Sequence, residues 1–594
     1  MIGSGKTINI KQAMLAAFAA LVVVTAFPGV VPAQQSIEKA PEKATGQTRK
    51  KLVTAPAMMV VTAMPEASHA GLAMLERGGS AVDAMIAAQL VLGLVEPQSS
   101  GLGGGAFLVH WDNGGQKLTT LDGRETAPVE ADAKLFLDAN GQPLEFFDAV
   151  VGGRSVGTPG TVALLAEAHK RHGKLQWAEL FQPAIKLAGD GFRVSARLNA
   201  LISESAESLY RQQAARDYFL SEEAVPLFVG AIRKNPTYAD TLKLIAEKGA
   251  AGFYHGVIAE DVVAAVRGDA DNPGVLSMAD FTAYGVIERE PVCTSYRLWS
   301  VCGMGPPSSG ALAVGQILKL VESQDLAKLG SADPQSWRLI GDATRLAFAD
   351  REKYVADPKF VQMPKGLLNP GYLAGRAKLL SGKNALADDA VAAGEPPFDQ
   401  TFDYAPGVAP ELPSTTHISI VDAQGNIVSM TSTVENGFGS RLMVRGFLLN
   451  NELTDFSFVA EQDGKPVANR VEPGKRPRSS MAPTIAFRDG KPVLVIGSPG
   501  GSAIIPFVAQ AIIAHLDWGM DVQQAVAMPH LANRFGTFVL EEGTSAAQMA
   551  PELEAIGYKI SVSELNSGLH AIAIFPDRLE GGADPRRDGL ALGK

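Results

Sequence analysis

Between Ser80 and Val95 the chain is apolar on nearly every side, with Ala81, Val82, Ala84, Met85, Ile86, Ala87, Ala88, Leu90, Val91 and Leu92 in close succession. Ser80 can cap the segment and Asp83 follows three residues later, so it reads as a helix. A helix with no polar face has to be covered on several sides. The fold must therefore close around it. A second helix is predicted just before it, over Ser68–Arg77, broken off by Gly78-Gly79, and Met58–Thr62 reads as a short buried strand. Hydrophobic residues make up 46% of the 594 residues and charged residues 20%. Such a chain can bury a large core without staples.

After the apolar helix comes Gln98-Ser99-Ser100-Gly101-Leu102-Gly103-Gly104-Gly105. A dinucleotide-binding loop follows a strand and opens a helix. This one follows a helix and precedes the strand-like Ala106–Trp111, so it is expected to be a close-packed backbone turn. Gly3-Ser4-Gly5-Lys6-Thr7 lacks the upstream glycine and strand of a phosphate-binding loop. Positions 158–400 are mostly helical in pattern, as in Thr158–His172 and Trp337–Tyr354. His169 and His172 share a helix with Lys170 and Arg171, which marks a solvated face. The histidines form no His-Glu-x-x-His pattern and no metal site is predicted.

The net charge of −10 and the pI of about 5.5 exclude a nucleic-acid partner, because no basic run carries more than three charges, as in Lys475-Arg476-Pro477-Arg478. The N-terminus reads as a signal peptide over residues 1–33: Lys6 and Lys11 precede an apolar run from Ala13 to Phe27, and Val31-Pro32-Ala33 offers a cut site. That run is shorter than the roughly 20 residues a membrane span needs. No span is expected once the signal is removed, and export points to the periplasm. Residues 34–51 are polar and lysine-rich and read as a disordered mature N-terminus. The two cysteines, Cys293 and Cys302, flank a candidate hairpin whose facing positions could bring the sulfurs together; export permits the bond.

Positions 385–413 shift to Ala, Asp, Gly and Pro and read as a long mobile surface loop. The loop ends where strand patterns begin. Ser414-Thr415-Thr416-His417 leads into His417–Val421, a turn over Asp422–Asn426, and a second strand over Ile427–Thr433. A hydroxyl nucleophile needs a base, and the chain has no Gly-x-Ser-x-Gly elbow. A threonine at a freshly cut N-terminus carries its own base, since a free α-amine titrates near about 8. Taken locally, Ser414-Thr415-Thr416 reads more readily as an ordinary surface turn.

A set of further segments decides between these readings. Gly78-Gly79-Ser80-Ala81-Val82-Asp83-Ala84, Ser100–Gly105, Leu121-Asp122-Gly123-Arg124-Glu125 and Pro306-Pro307-Ser308-Ser309-Gly310 are followed in order by Thr415-Thr416-His417, Leu449-Asn450-Asn451-Glu452, Asp455-Phe456-Ser457, Lys475–Met481 and Gly497-Ser498-Pro499-Gly500-Gly501-Ser502. In this order, from about residue 52 to 590, the chain resembles the γ-glutamyltransferases of the N-terminal-nucleophile hydrolases. The resemblance implies a four-layer α/β/β/α sandwich and cleavage between Ser414 and Thr415. A large subunit, 52–414 in its folded part, and a small catalytic subunit, 415–594, would form a heterodimer interleaved in one domain. It implies glutathione and other γ-glutamyl compounds as donors, with water, amino acids or dipeptides as acceptors, and no metal or organic cofactor.

The resemblance also assigns residues. Thr415 is the nucleophile and Thr433 its hydrogen-bonding neighbour, and the backbone N–H groups of Gly500 and Gly501 form the oxyanion hole. Arg124, Ser479 and Ser480 hold the donor's α-carboxylate, and Asp455 with Glu452 its α-ammonium, with Asn451 beside them. The chain departs from the family pattern at Glu435, where asparagine is frequent. It departs again between Phe456 and Lys475, a shortened, tyrosine-free segment from which a reduced lid is expected. Glu435 keeps open a related reading, an acylase for glutaryl or cephalosporin-type amides. A non-catalytic secreted binding protein on the same scaffold would predict an uncut chain.

Overall fold

In a computed structural model of the chain, the described residues are 48–397, 403–407, 409, 412 and 414–594. The apolar N-terminal run, the Val31-Pro32-Ala33 site and most of the polar stretch after it lie outside them. Of that stretch, Thr48 to Lys51 are described; the Thr48 N–H donates to Pro585 O (2.9 Å) and Lys50 Nζ to Gly589 O (2.9 Å).

Two seven-stranded sheets carry the fold. The first runs in the order Leu590–Gly593, Met59–Thr62, Thr416–Val421, Ile427–Thr433, Gly105–Asp112, Lys117–Gly123, Ile287–Arg289. The second runs Val53–Ala55, Leu579–Ala583, His570–Ile574, Lys491–Gly497, Thr484–Arg488, Trp299–Gly303, Val292–Tyr296. All neighbours within both sheets are antiparallel. The Thr416–Val421 and Ile427–Thr433 hairpin lies at the middle of the first sheet, between strands drawn from the N-terminal part of the chain.

Side-chain alternation along these strands generates the layers. Ile418, Ile420, Val428, Met430, Ala106 and Leu108 face the helical layer. Val421, Ile427, Phe107, Val109, Met59 and Val61 face the second sheet and pack with Ile485, Val495, Ile496, Ala571 and Ile572. Helices Gly310–Val321 and Ile504–Leu516 join that second core from the far side. The result is the predicted α/β/β/α sandwich, and all described residues belong to one compact unit.

The apolar segment forms the helix Ala81–Val95, and every one of its residues is buried. Burial of each large side chain such as Val82, Ile86, Leu90 or Leu92 contributes roughly 1.5–3 kcal/mol. Ser80 and Asp83 form the expected capping box. The preceding helix begins at Pro65, because a proline at the first turn is already set for helix entry. The helix predicted from Thr158 starts instead at Thr161, since Pro159 disfavours helical geometry at Thr158. The helix expected from Trp337 starts at Pro334, where the Asp333 side chain accepts from Gln335 N–H (2.8 Å).

In the described parts of the long loop before Thr415 the one regular element is the single turn Asp388–Ala390, and these parts are tied down. Gly394 N–H donates to Asp350 (2.8 Å), Tyr354 Oη to Gly394 O (2.8 Å) and Gly407 N–H to Glu352 O (3.0 Å). Between Phe456 and Lys475 the chain makes a short hairpin of Glu461–Gln462 with Lys465–Pro466.

Cys293 and Cys302 face each other across the Val292–Tyr296 and Trp299–Gly303 hairpin, with Cα atoms 4.0 Å apart, and are disulfide-bonded. A bridge closing so short a loop is worth about 2–3 kcal/mol. Trp299–Gly303 is also held by Thr484–Arg488. The Cys293→Ala/Cys302→Ala double variant is therefore expected to fold, with stability in urea reduced by no more than about 3 kcal/mol.

Candidate active site

The hairpin register fixes the centre of the site. Thr416 pairs with Ser432, so Thr415 stands at the strand end opposite Thr433. Odd-numbered side chains here point between the sheets. His417 Nδ1 meets Thr431 Oγ1 (2.8 Å), and Ser419 Oγ donates to His570 O (3.0 Å). Burial holds the His417 imidazole well below its usual pKa, hence neutral. The Asp422 carboxylate pins the hairpin turn: it accepts from the Gln424 (2.9 Å) and Asn426 (3.0 Å) N–H groups and from Ala81 N–H (3.0 Å) at the start of the apolar helix.

Thr415 is buried, and Ser414 and Thr415 are joined by an intact peptide. Thr415 Oγ1 donates to the Ser414 carbonyl and lies 3.2 Å from Thr433 Oγ1. Thr433 Oγ1 donates to the same Ser414 carbonyl at 2.7 Å and accepts from Glu435 N–H at 2.9 Å. A backbone N–H can only donate, so it leaves the Thr433 proton directed at the Ser414 oxygen. Glu435 reaches this position with φ of +77°, a sparsely populated conformation for a residue with a side chain. On the other flank, Ser414 Oγ donates to Gln98 O (2.7 Å) and Val434 N–H to Ser99 O (3.2 Å). The glycine-rich turn makes this approach possible: a Cβ on Gly104 would collide with Thr433 O, and one on Gly103 with Leu448 O.

A pocket opens beside Thr415. Of the residues predicted for the site, Arg124, Thr433, Glu435, Glu452, Asp455, Ser479, Ser480 and Gly501 line it together with Thr415. Gly500 adjoins Gly501 at the entry to the helix Ile504–Leu516, with φ of +139° and +54° respectively, where only glycine is at ease. Asn451 stands one step back, its Nδ2 donating to Glu435 and to Thr454 Oγ1 (3.0 Å) and its Oδ1 accepting from Asn436 N–H (2.9 Å).

Arg124 dominates the far wall. It follows directly on the Lys117–Gly123 strand and is 1% exposed. It forms buried ion pairs with Glu452 and Asp455. Its Nε donates to Pro477 O (3.3 Å) and its Nη2 to Arg478 O (2.9 Å). Ser479 and Ser480 follow on the same loop, which is backed by Pro306–Gly310: Ser479 N–H donates to Pro307 O (3.0 Å) and Ser309 N–H to Ser479 O (2.7 Å). Ser480 Oγ accepts from Arg351 Nη2 (2.8 Å).

Four carboxyl groups thus surround one guanidinium. Burial pushes Glu435 well above the usual carboxylate range, and Asp455 and Glu452 push it further. Burial also raises Glu452 well above that range, with Arg124 pulling the other way, and lifts Glu125 to about 7. Burial thus favours the protonated form of Glu435 and Glu452, while their negative field favours the charged form of Arg124.

Sequence reading missed Leu412, Met481 and Ile504 in the cavity wall, and Arg351 behind Ser480. The first three are apolar residues with no chemical signature. Arg351 is a charged residue on a long helix, and nothing local shows that it turns inward.

Removing Arg124 strands its partners. Arg124→Ala is expected to cost about 3–5 kcal/mol at pH 8. Carboxyls whose pKa is raised in the folded state destabilise it once they ionise, so the cost should shrink as pH falls towards 5. Urea unfolding at the two pH values checks both magnitude and sign.

Comparison with known proteins shows the family. The gamma-glutamyltranspeptidase family matches residues 67–594. The glutathione hydrolase proenzyme of Bacillus subtilis strain 168 is 36% identical over 590 residues, spanning 97% of this chain and 97% of that one. The Acylase ACY 1 proenzyme of Pseudomonas sp. strain SE83 is 34% identical over 564 residues, 93% of this chain and 96% of that one. Among solved structures, a cephalosporin acylase from Bacillus halodurans superposes with a TM-score of 0.80 at 27% identity, covering 93% of this chain and 98% of that one. The chain belongs to the γ-glutamyltranspeptidase family and is an enzyme of that family.

Proposed function

We propose that the chain is a self-cleaving γ-glutamyl hydrolase and transferase whose nucleophile is Thr415. The observation that carries this reading is the Ser414 carbonyl, which receives both the Thr415 hydroxyl and, at 2.7 Å, the Thr433 hydroxyl. In the first reaction Thr415 Oγ1 attacks the Ser414 carbonyl carbon. Thr433 stabilises the charge growing on the oxygen, the hydroxyl proton of Thr415 ends on the amide nitrogen, which leaves as an amine, and water hydrolyses the resulting ester. A donated hydrogen bond of this kind is typically worth about 3–4 kcal/mol in a transition state. The products are a Ser414 carboxylate and a free Thr415 amine, and the chain becomes subunits ending at 414 and beginning at 415.

In the second reaction the same hydroxyl attacks a γ-glutamyl amide. The Thr415 amine takes its proton and passes it to the departing amine. Gly500 and Gly501 N–H groups take the oxyanion. Water, or the amine of an amino acid or dipeptide, then resolves the acyl-enzyme. The donor's α-carboxylate fits Arg124, Ser479 and Ser480, and its α-ammonium fits the acid wall of Glu452, Asp455 and Glu435. Export to the periplasm is part of this reading; the Cys293–Cys302 disulfide supports an oxidising compartment. Among the described residues no helix is long and apolar enough to cross a membrane.

Relatives named as acylases favour a second reading, in which the donor head is glutaryl. Electrostatics favours the first. A glutaryl head brings a carboxylate but no ammonium, and would leave Glu435, Glu452 and Asp455 with no cation beyond Arg124. The missing charged contact is worth about 1.5–3 kcal/mol. Turnover of γ-glutamyl p-nitroanilide should therefore exceed that of the glutaryl compound by about 10- to 100-fold in kcat/KM, and the reverse preference would overturn the donor assignment.

Two variants test the rest. Thr415→Ala should remain one chain by intact mass, with no turnover; cutting at the same bond would sink the nucleophile assignment. Burial beside Asp455 and Glu452 pushes the Glu435 carboxyl up, so donor KM should fall as rising pH ionises it and lets it pair with the ammonium. Glu435→Gln should flatten this fall.

A further inference from the structure

The groups described so far place the Thr415 hydroxyl and grip a donor. Cleavage changes the mechanical situation of Thr415: it loses its covalent hold on Ser414 and becomes a chain end, one residue before strand pairing starts at Thr416. Chain ends fray unless something ties them down.

One side chain grips the Thr415 backbone from the other direction. Arg587 Nη1 donates to the Thr415 carbonyl oxygen at 3.0 Å, across 172 residues of sequence. Arg587 is 1% exposed, and its guanidinium is itself fixed. Its Nε donates to Ser567 O at 2.8 Å, and its Nη1 lies 3.4 Å from a Glu96 carboxylate oxygen. Glu96 ends the apolar helix and also faces Arg197 at 3.5 Å. The planar fork lets one side chain reach two carbonyls on separate segments from one fixed plane, which a lysine cannot do. Arg587 does not line the donor cavity.

We propose that Arg587 is a positioning residue for the nucleophile. By fixing the carbonyl of Thr415 it fixes the peptide plane between Thr415 and Thr416. Only rotation about the Thr415 Cα–C bond and about χ1 then remains to carry the hydroxyl and the α-amine away from reacting geometry. The contact exists in the uncut chain, so it orients the same hydroxyl for cleavage and afterwards for turnover. Glu96 contributes from the N-terminal side of the cut, which makes the clamp a contact between the two proposed subunits.

This inference rests on Thr415 being the nucleophile, and its test separates the two ideas. Full-length Arg587→Gln and Arg587→Lys are compared with the parent for the fraction cut by intact mass, for kcat and KM with γ-glutamyl p-nitroanilide, and for the thermal midpoint. Positional errors of about 1 Å at a reacting group cost on the order of 100-fold. Arg587→Gln should slow cleavage and lower kcat by about 10- to 100-fold with donor KM within about three-fold, and ethylguanidinium in the assay should restore part of kcat. Arg587→Lys, which keeps the charge but reaches only one carbonyl, should fold and still lose at least about five-fold in kcat. Cleavage and kcat within about two-fold of the parent in folded Arg587→Gln would overturn the proposal. If Arg587→Gln fails to accumulate, an unimpaired Arg587→Lys does so instead. A parent chain that never cuts itself would overturn the nucleophile assignment, a result distinguishable from either.

Discussion

The site depends on the register of one hairpin. Thr416 opposite Ser432 and Val421 opposite Ile427 place Thr415 against Thr433, and both outer strands of that hairpin are themselves paired, to Met59–Thr62 and to Gly105–Asp112. Strand side chains alternate with a period of two, so a slip by one residue would send Ile418, Ile420, Val428 and Met430 between the sheets and His417, Ser419, Ser429 and Thr431 into the apolar helix layer. Neither face tolerates this. Register is therefore fixed from both sides at once, and the buried Asp422 locks the turn to the first N–H of the helix beneath.

That helix links the fold to the chemistry in a second way. Its N-terminus receives Asp422, while the segment leaving its C-terminus supplies Glu96, the Gln98 carbonyl that accepts from Ser414, and the Ser99 carbonyl that accepts from Val434. A helix with no polar face cannot shift towards solvent. It is a rigid rail from which both the turn and the open end of the hairpin are held. The glycines that follow let the chain double back against Thr433 and Leu448 without collision.

The pocket beside Thr415 is organised by charge rather than by shape. One buried guanidinium stands among Glu125, Glu435, Glu452 and Asp455, and the surrounding backbone carbonyls of Pro477 and Arg478 fix its orientation. Such a cluster is costly to bury, since carboxyls taken from water favour the protonated form. In the proposed reading, a donor that brings one carboxylate and one ammonium would complete it. The strands on either side of the Ser414–Thr415 bond interdigitate in the first sheet, so cutting that bond would leave the two pieces locked together by the sheet itself.

The sequence by itself determined the layered fold class, the helix Ala81–Val95, the hairpin ending at Thr433, the facing cysteines, and most of the cavity-lining set from Arg124 to Gly501. These were legible because each rests on a local signal: a periodicity, a cap, a glycine that must stay a glycine, or a run of residues in family order. Helix starts at Pro65, Thr161 and Pro334 shifted because proline geometry and capping act on single positions that periodicity averages over. Only the tertiary structure decided where charges go. Arg124 turns from its neighbour Glu125 to Glu452 and Asp455, Arg351 reaches Ser480, Glu435 folds back on Asn451, and Arg587 grasps the carbonyl of Thr415. Each of these contacts joins segments far apart in the chain or turns on a backbone angle that local preference opposes, and a long polar side chain shows its partner only when the fold has removed the water it would otherwise prefer.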